Sequence, residues 1–194
     1  PMSQLPSFTV FDTETTGLDP RKGDKIIEIA GVRIEDGVIR EDLSFVKYVN
    51  PERSIPWEAK RVNHIEDSDV AGAQTIDQVL PQFLEFAKGS ILVAHNCDFD
   101  MNFLLTEKEL CWGYIEMPEC LCTMRLSRCL YPSEFRHNLD SLAARLSIPM
   151  PKDRHRAMPD VLMTAQALLK MIEDNNINTP EQLRKLAGKQ RMVA

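Results

Sequence analysis

The chain contains 194 residues, of which 43% are hydrophobic, and this length is enough for one well-buried core. Its 29 acidic residues outnumber the 23 Lys and Arg residues, and the net charge of -6 argues against a protein that coats nucleic acid with a broad basic face. Charged residues interrupt every apolar run before it reaches the roughly 18 to 20 residues that a membrane span requires. We therefore expect one soluble, cytoplasmic domain with no membrane partner.

The five cysteines are an odd number and lack the spacing of a disulfide-rich scaffold. This pattern favours free thiols in a reducing compartment. A zinc site is the alternative, although Cys120 and Cys122 lack the Cys-x-x-Cys spacing of a zinc knuckle. That site would be built from Cys111, Cys120, Cys122 and Cys129.

The first half of the chain is typical of an antiparallel meander. Its three stretches are "FTVFDTE" (8–14), "KIIEIAGVRIEDGVI" (25–39), with a turn at Asp36-Gly37, and "EDLSFVKYVNP" (41–51). A fourth, fully apolar strand is predicted at "SILVAHN" (90–96).

Segments with helical periodicity lie between the third and fourth strands and make up most of the second half of the chain. Pro81 is expected to split or start the helix predicted over 75–89. Thr179 and Pro180 suit the N-cap and first position of the last helix. The class is therefore α/β, a mixed sheet covered by helices. The predicted helices are "PWEAKRVN", "TIDQVLPQFLEFAKG", "FDMNFLLTEKELCW", "TMRLSRCLY", "NLDSLAARL", "PDVLMTAQALLKMIED" and "TPEQLRKLAG".

Two carboxylates, Asp12 and Glu14, end the first strand. Residues two apart in a strand point to the same face, so these two acids project together while Thr13 faces the other way. Paired acids repel each other unless a cation lies between them, and hard divalent cations are the usual partners near phosphates. A metal site of this kind predicts further acids elsewhere.

Further acids occur where the pattern changes from one element to the next. Asp98 and Asp100 lie where an apolar strand passes into a helix, a common location for sites in such sheets. Asp160 lies in the first turn of a long helix, and Pro159 suits the first helical position. His155 precedes Asp160 by five residues, which is not the spacing of a zinc helix, so we expect it in the preceding loop and outside the metal shell.

Three ordered motifs, "FDTETTG", "AHNCDFD" and "HRAMPD", resemble those of the DEDDh group of DnaQ-like 3′-5′ exonucleases. The stretches "IIEIAGVRIEDG", "CTMRLSRCLYP" and "NLDSLAARLSIP" are also similar, and the resemblance covers residues 8–172. It implies a ribonuclease H-like fold, with an antiparallel meander plus parallel strands. It also implies an exonuclease domain over residues 7–175, followed by a C-terminal helix and short tail over residues 176–194.

The resemblance implies roles for the acids and the histidine. It makes Asp12, Glu14, Asp100 and Asp160 the ligands of two metal ions, Mg²⁺ or Mn²⁺, and His155 the general base. In this group the second-motif acid directly follows Phe. Because Phe99 precedes Asp100, Asp98 is expected to be a bystander. Two such cations hold the attacking and leaving oxygens of a phosphodiester and neutralise the developing charge.

Candidate substrate-binding residues are spread over three segments. The turn after the first strand offers backbone and hydroxyl donors, and its Gly17 permits close approach or a positive φ. Members of the group often carry a His or a similar polar residue before a Gly-Ile pair that follows the third strand. Here the stretch is "VNHIED", so Asn63 or His64 would take that position. Phe99 and Phe103 either stack on a base or pack in the core. The full set is Thr13, Thr15, Thr16, Gly17, Asn63, His64, Asn96, Phe99 and Phe103.

The implied activity is release of nucleoside monophosphates from the 3′ end of DNA, acting on single strands or DNA 3′ ends. Thr13-Glu14-Thr15 replaces the Leu-Glu-Met of the ribonuclease branch, which favours DNA. An exoribonuclease and a catalytically silent nucleic-acid-binding module are the alternatives. A polymerase partner is possible, but the short C-terminal segment favours a stand-alone repair enzyme. Two nearby polar residues are expected to be structural: Glu28 in a strand and His95 as a packed or capping side chain.

Overall fold

The centre of the structure is a five-stranded mixed sheet. In this computed structural model, the described residues are 4–111, 113, 115–152, 154 and 156–189. The strands are β1 (Phe8–Thr15), β2 (Ile26–Glu35), β3 (Val38–Tyr48), β4 (Ile91–Ala94) and β5 (Cys120–Cys122).

Eight α-helices within the described ranges cover the sheet, and a 3₁₀ turn at Pro20–Lys22 follows β1. None of the helices in this part of the chain is long and apolar enough to cross a membrane. The helices are α1 (Trp57–Asn63), α2 (Asp67–Val70), α3 (Ile76–Phe86), α4 (Cys97–Cys111), α5 (Thr123–Leu130), α6 (Leu139–Arg145), α7 (Ala157–Asp174) and α8 (Pro180–Ala187).

The strand order β3-β2-β1-β4-β5 confirms the predicted meander. β2 pairs antiparallel with both β1 and β3, and the turn between β2 and β3 has positive φ at Asp36 and Gly37. β4 runs parallel to β1, and their last pair is Val10 with Val93. Beyond this pair, the last residues of β1 continue without a strand partner on that side. The first turns of α4 contact β1 in this unpaired part, through Asp100 and Thr13.

The two faces of the sheet pack against different helices. Phe8 and Val10 belong to the core that contains the buried side of α7, whereas Phe11 belongs to the core formed with α3 and α4. The alternation along β1 therefore directs Asp12 and Glu14 toward α7 and Thr13 toward α4. The final residues of this strand thus face two helices at once.

Three details of the predicted helices differ from the structure. Pro81 lies inside a continuous α3, where the buried Val79, Leu80 and Phe83 pack against the sheet and outweigh the one backbone hydrogen bond that proline cannot donate. α4 begins two residues earlier than expected. α7 begins at Ala157, so Pro159 is its third residue rather than its first.

β5 and α2 were missed because segments of three and four residues are too short to show a hydrophobic period. At the other end of the chain, Thr179 caps α8 as predicted by accepting a hydrogen bond from the Gln182 amide at 3.2 Å. α8 buries Leu183 and Ala187 in the same core as α7. The division of the chain after residue 175 stays a prediction.

Candidate active site

Three carboxylates meet where β1 ends beside the first turn of α7. Ligand oxygens of Asp12, Glu14 and Asp160 all lie within 4.8 Å of one another. Within the described ranges, no other group of three or more His, Cys, Asp or Glu side chains is this close together. Two residues of one strand and one of a helix 146 positions further on therefore form the cluster that their motifs predicted.

Asp100 of α4 lies outside this group of three and is bound to β1 through Thr13. Both the amide and the hydroxyl of Thr13 donate to Asp100 Oδ1, at 3.1 and 2.6 Å. The Thr13 amide is free to do so because the pairing of β1 with β4 ends at Val10. Asp100 is buried, and its charge acts on Asp12. The structure therefore groups three of the four predicted acids and binds the fourth, Asp100, to Thr13, the residue between Asp12 and Glu14.

Burial and mutual repulsion disfavour full ionisation of these acids. Burial, and then the charges of Asp100, Glu14 and Asp160, raise the pKa of Asp12 well above its usual range. Burial raises the pKa of Glu14 to about 8, with further contributions from Glu28, Asp160 and Asp100. It also raises the pKa of Asp100 to about 7, despite the opposing hydrogen bonds from Thr13.

The donor set fits a hard divalent cation. Four partly or fully buried carboxylates repel one another, and a cation with oxygen ligands removes that repulsion. Arg154 compensates the negative charge of only one of these acids, because its Nε donates a hydrogen bond to Asp160 Oδ1 at 2.9 Å. Its guanidinium also contacts Asp140. Burial raises the pKa of Asp160, and Arg154 opposes that rise.

The start of α7 is fixed to the sheet by Glu28. This carboxylate is 1% exposed and accepts hydrogen bonds from Arg156 Nε at 3.2 Å to each oxygen and from the Ala157 amide at 3.0 Å. The Arg156 guanidinium also lies over the Tyr48 ring, at 4.7 Å from its centroid. The structural role expected for Glu28 is therefore confirmed. It anchors the helix turn that carries Asp160.

His155 lies outside the described residues. Its neighbours on both sides are described, and each is bound to an acid: Arg154 to Asp160 and Arg156 to Glu28. Asp98, the expected bystander, is exposed and pairs with Arg125 at 2.5 Å.

A cavity of about 540 Å³ opens beside the acids, and Glu14 forms part of its wall. The β1 end and the turn after it supply one side, and α1 supplies the other. Its volume falls within the range of small-molecule sites, about 300 to 1,000 Å³. The lining residues are Thr13, Glu14, Thr15, Thr16, Gly17, Leu18, Pro56, Glu58, Ala59, Val62, Asn63 and Phe99.

The turn at this cavity is organised by Asp24. A side chain at Gly17 would collide with the Asp24 carboxylate, so close approach rather than positive φ favours glycine there. Thr16 donates to Asp24 and accepts from the Lys25 amide at 2.9 Å, and Thr15 donates to the Gly17 carbonyl at 2.6 Å. The predicted hydroxyl donors are thus engaged within the protein. Their contact with a substrate stays a prediction.

The remaining candidates divide by exposure. Asn63 is buried in the cavity wall and donates to the Thr15 carbonyl at 3.4 Å, whereas His64 is exposed at the left-handed C-cap of α1. Phe99 lines the cavity. Phe103 is fully buried behind Phe99, and the centroids of the two rings are 5.2 Å apart. Core packing therefore accounts for Phe103, and stacking on a base does not. Asn96 is exposed in the turn before α4, with φ 61°.

Several lining residues were not predicted: Leu18, Pro56, Glu58, Ala59 and Val62. In α1 the spacing of 58, 59, 62 and 63 is that of one helix face, a signal that was available in the sequence.

Two alternatives for other side chains are also settled. The zinc alternative is wrong, because Cys111 and Cys129 are exposed on different helices and, within the described ranges, no group of three or more ligand side chains within 4.8 Å of one another includes a cysteine. His95 is a packed histidine, bound to the Thr123 hydroxyl at 2.8 Å and the His137 carbonyl at 2.9 Å.

A mixed sheet of this order, with carboxylates that converge at the end of its first strand, is typical of the ribonuclease H-like fold class. The RNase T family model, described as an exonuclease, matches residues 9–168. The chain therefore belongs to this exonuclease family, in the DnaQ-like DEDDh group that its motifs resemble. Members of the family use divalent metal ions, in agreement with the acidic cluster.

Similar proteins include polymerase subunits and a solved exonuclease. A DNA polymerase III subunit epsilon-like protein of Rhodobacter capsulatus is 42% identical over 173 residues, which are 89% of this chain and 24% of the relative. DNA polymerase III subunit epsilon of Aquifex aeolicus is 33% identical over 168 residues, 87% of this chain and 81% of the relative. The structure of Exonuclease X in complex with 5′ overhanging duplex DNA is 30% identical, with a TM-score of 0.74, and the match covers 92% of this chain and 98% of that chain.

The relatives differ widely in length. This chain spans about a quarter of the Rhodobacter protein and 12% of the PolC-type DNA polymerase III of Caldanaerobacter subterraneus.

Proposed function

We propose that the chain is a 3′-5′ exonuclease that releases nucleoside monophosphates from the 3′ end of DNA. The observation that supports this most is the convergence of Asp12, Glu14 and Asp160 within 4.8 Å, with Asp100 held beside them by Thr13. A cavity with room for one nucleoside opens from Glu14. This combination suits an exonuclease, which removes one terminal nucleotide at a time.

Asp12, Glu14, Asp100 and Asp160 would hold two divalent cations, Mg²⁺ or Mn²⁺. Ionised carboxylates suit such hard cations, whereas thiolates and imidazoles favour zinc or copper. When bound, the ions neutralise the charge that builds on the phosphoryl oxygens during hydrolysis. The protein's own contribution is to hold the carboxylates in place, through β1, the Thr13–Asp100 bonds and the Glu28 anchor of α7.

His155 is the proposed general base. A neutral imidazole, with an unperturbed pKa of about 6.5, is suited to accept a proton from the attacking water near neutral pH. Arg154 and Arg156 on either side of it are bound to Asp160 and Glu28. The assignment is supported by the third motif, in which His155 stands, and by the contact of its neighbour Arg154 with Asp160, one of the four acids.

DNA is the proposed substrate because the similar proteins carry DNA names: DNA polymerase III subunit epsilon, and Exonuclease X solved with duplex DNA. The ribonuclease branch of the group carries Leu-Glu-Met where this chain has Thr13-Glu14-Thr15, and this difference also favours DNA as the substrate. These relatives include polymerase subunits as well as Exonuclease X. Action without a polymerase partner therefore stays a prediction.

Labelled substrates test polarity and substrate class together. The purified protein is incubated with Mg²⁺ or Mn²⁺ and with single-stranded DNA, overhanging duplex DNA or RNA of one sequence, labelled at the 3′ or the 5′ end. We expect the 3′ label to leave at once as a mononucleotide and the 5′-labelled strand to shorten stepwise. EDTA should stop both reactions.

The same experiment separates the alternatives. Degradation of RNA with DNA left intact would identify an exoribonuclease. Binding of all three substrates without product, at any concentration of Mg²⁺ or Mn²⁺, would identify a silent binding module. Early release of a 5′-terminal mononucleotide would contradict the proposed polarity.

A further inference from the structure

Three large apolar side chains are exposed around the cavity beside the acids. Leu18 and Val62, which line it, are 82% and 68% exposed, and Trp57 is 65% exposed between the lining residues Pro56 and Glu58. Single exposed apolar residues are common on protein surfaces, but a cluster beside a polar site marks a binding surface. This cluster is continuous with the site proposed to hold the terminal nucleotide.

Trp57 carries a cation next to its ring. Arg61, one turn further along α1, has its guanidinium 5.2 Å from the ring centroid, within the range of a cation–π interaction. Among the described residues Arg61 has no carboxylate partner, whereas its neighbour Lys60 pairs with Asp67 at 2.5 Å. The rim of the cavity therefore offers an aromatic face and an uncompensated positive charge at one place.

The size of the cavity limits what it can hold. A volume of about 540 Å³ accommodates one nucleoside, so the next nucleotide of a bound strand must lie outside it. On the α1 side, Val62 lines the cavity and is exposed, whereas Trp57 does not line it but lies between the lining residues Pro56 and Glu58. The exposed indole is therefore a surface next to the cavity that a strand extending beyond it can reach.

We propose that Trp57 is a stacking platform for a nucleobase upstream of the terminal nucleotide, and that Arg61 contacts an adjacent phosphate. The occupant is single-stranded nucleic acid, and the inference rests on the proposed function because it extends the path of the same substrate strand. An aromatic ring suits this task because every base has a π-face, so stacking tolerates any sequence. A nearby arginine adds attraction to the backbone.

Tryptophan fluorescence tests the platform directly. The chain has two tryptophans, so Trp112→Phe leaves Trp57 as the only one. This protein is titrated in Ca²⁺ with thymidine monophosphate and with oligothymidylates of two to eight nucleotides, and gels check that the oligomers stay intact. We expect strong quenching by the oligomers and little by the mononucleotide. Equal quenching by both, or none by either, would overturn the proposal.

Variants measure the contribution to affinity. Trp57→Ala should weaken binding of the eight-nucleotide strand about 5- to 150-fold, and Trp57→Phe should restore most of it. Arg61→Ala should lower the slope of log affinity against log salt by about 0.7, the value for one phosphate contact on a single strand. Leu110→Ala is the control, because Leu110 is 69% exposed near the far end of α4 from Asp100.

A substrate without an upstream base separates this inference from the proposed function. The p-nitrophenyl ester of thymidine 5′-monophosphate should be cleaved at the parent rate by Trp57→Ala. If the parent cleaves neither the ester nor DNA, the proposed function fails. If the parent cleaves both and Trp57→Ala binds long strands as tightly as the parent, the stacking platform fails alone.

Discussion

Glu28 of β2 caps α7 across a distance of more than 120 residues in sequence. Arg156, the N-cap residue of α7, makes no side-chain cap of its own. The Glu28 carboxylate takes over this task by accepting the Ala157 amide at 3.0 Å, and Arg156 compensates its charge. The helix turn that carries Asp160 is therefore positioned by a residue outside the three motifs.

Glu28→Gln should destabilise the protein and reduce its activity together. Loss of charge-assisted hydrogen bonds of this kind costs about 2 kcal/mol in the free energy of unfolding, because Arg156 loses its carboxylate partner. Urea unfolding and nucleotide release measure the two effects. Glu119→Gln, which removes the exposed partner of Arg184, is the matched control and should change both little. Equal effects of the two substitutions would contradict the anchoring role.

The metal-free protein should lose stability as pH rises. Burial and neighbouring charges raise the pKa of Glu14 from an ordinary 4.5 to about 8. The folded state therefore keeps a proton that the unfolded chain has lost in this window, and the free energy of unfolding falls as pH rises through it. Urea unfolding in EDTA between pH 6.5 and pH 9, above the range in which His95 contributes, measures the trend.

Mg²⁺ should reverse that trend, because cation binding needs the ionised carboxylates. Its stabilising effect is expected to grow with pH and to release protons, which calorimetry in buffers of different ionisation enthalpy detects. Stabilisation by Mg²⁺ that is the same at pH 5 and pH 8, without proton release, would contradict the assigned ionisation.

His95 should make stability depend on pH in the opposite direction. Burial lowers its pKa to about 4, so between about pH 6.5 and pH 4 the unfolded chain binds a proton that the folded protein does not. The contribution is complete above pH 6.5 and is lost as pH falls toward 4, by about 2 to 3 kcal/mol. His95→Asn should flatten this part of the profile in urea unfolding. An unchanged slope would show that His95 is not held neutral.

Sequence patterns predicted the residues of the site better than the contacts that hold those residues in place. The period of two in β1 directed Asp12 and Glu14 to one face, and that is where Asp160 meets them. The same period directed Thr13 to the other face. It did not show that Thr13 would bind Asp100, because that bond depends on where the pairing of β1 with β4 ends. Contacts of this kind are decided by strand pairing, which no local pattern contains.

Tertiary packing also overrode local preferences in α3. Proline disfavours a helix interior, yet α3 continues through Pro81 because its apolar face is buried on both sides of that residue. The cavity was missed for a related reason. The helix α1 was predicted, but its residues line a cavity only because β1 and the turn after it lie opposite them in the fold.

His155→Ala should slow hydrolysis by about 10² to 10⁴-fold, the usual contribution of a positioned general base. Affinity for Mn²⁺ and for DNA should change little, because the residue is assigned to proton transfer and not to metal binding. The parent's activity should rise with pH as the imidazole loses its proton, and this limb should shift or flatten in the variant. A variant that keeps the parent's rate and profile, or that fails because it no longer binds metal, would end the assignment.

The central claim is that the four converging acids carry out metal-dependent hydrolysis. The most direct test is the rate of nucleotide release from 5′-labelled single-stranded DNA in Mg²⁺ by the parent, Asp100→Asn and Asp98→Asn. Asp100 is buried against Thr13, whereas Asp98 is exposed and pairs with Arg125. We predict loss of several orders of magnitude for Asp100→Asn, a rate within a few-fold of the parent for Asp98→Asn, and no release by any of them in EDTA. Equal loss in both folded variants, or release that continues in EDTA, would contradict the account.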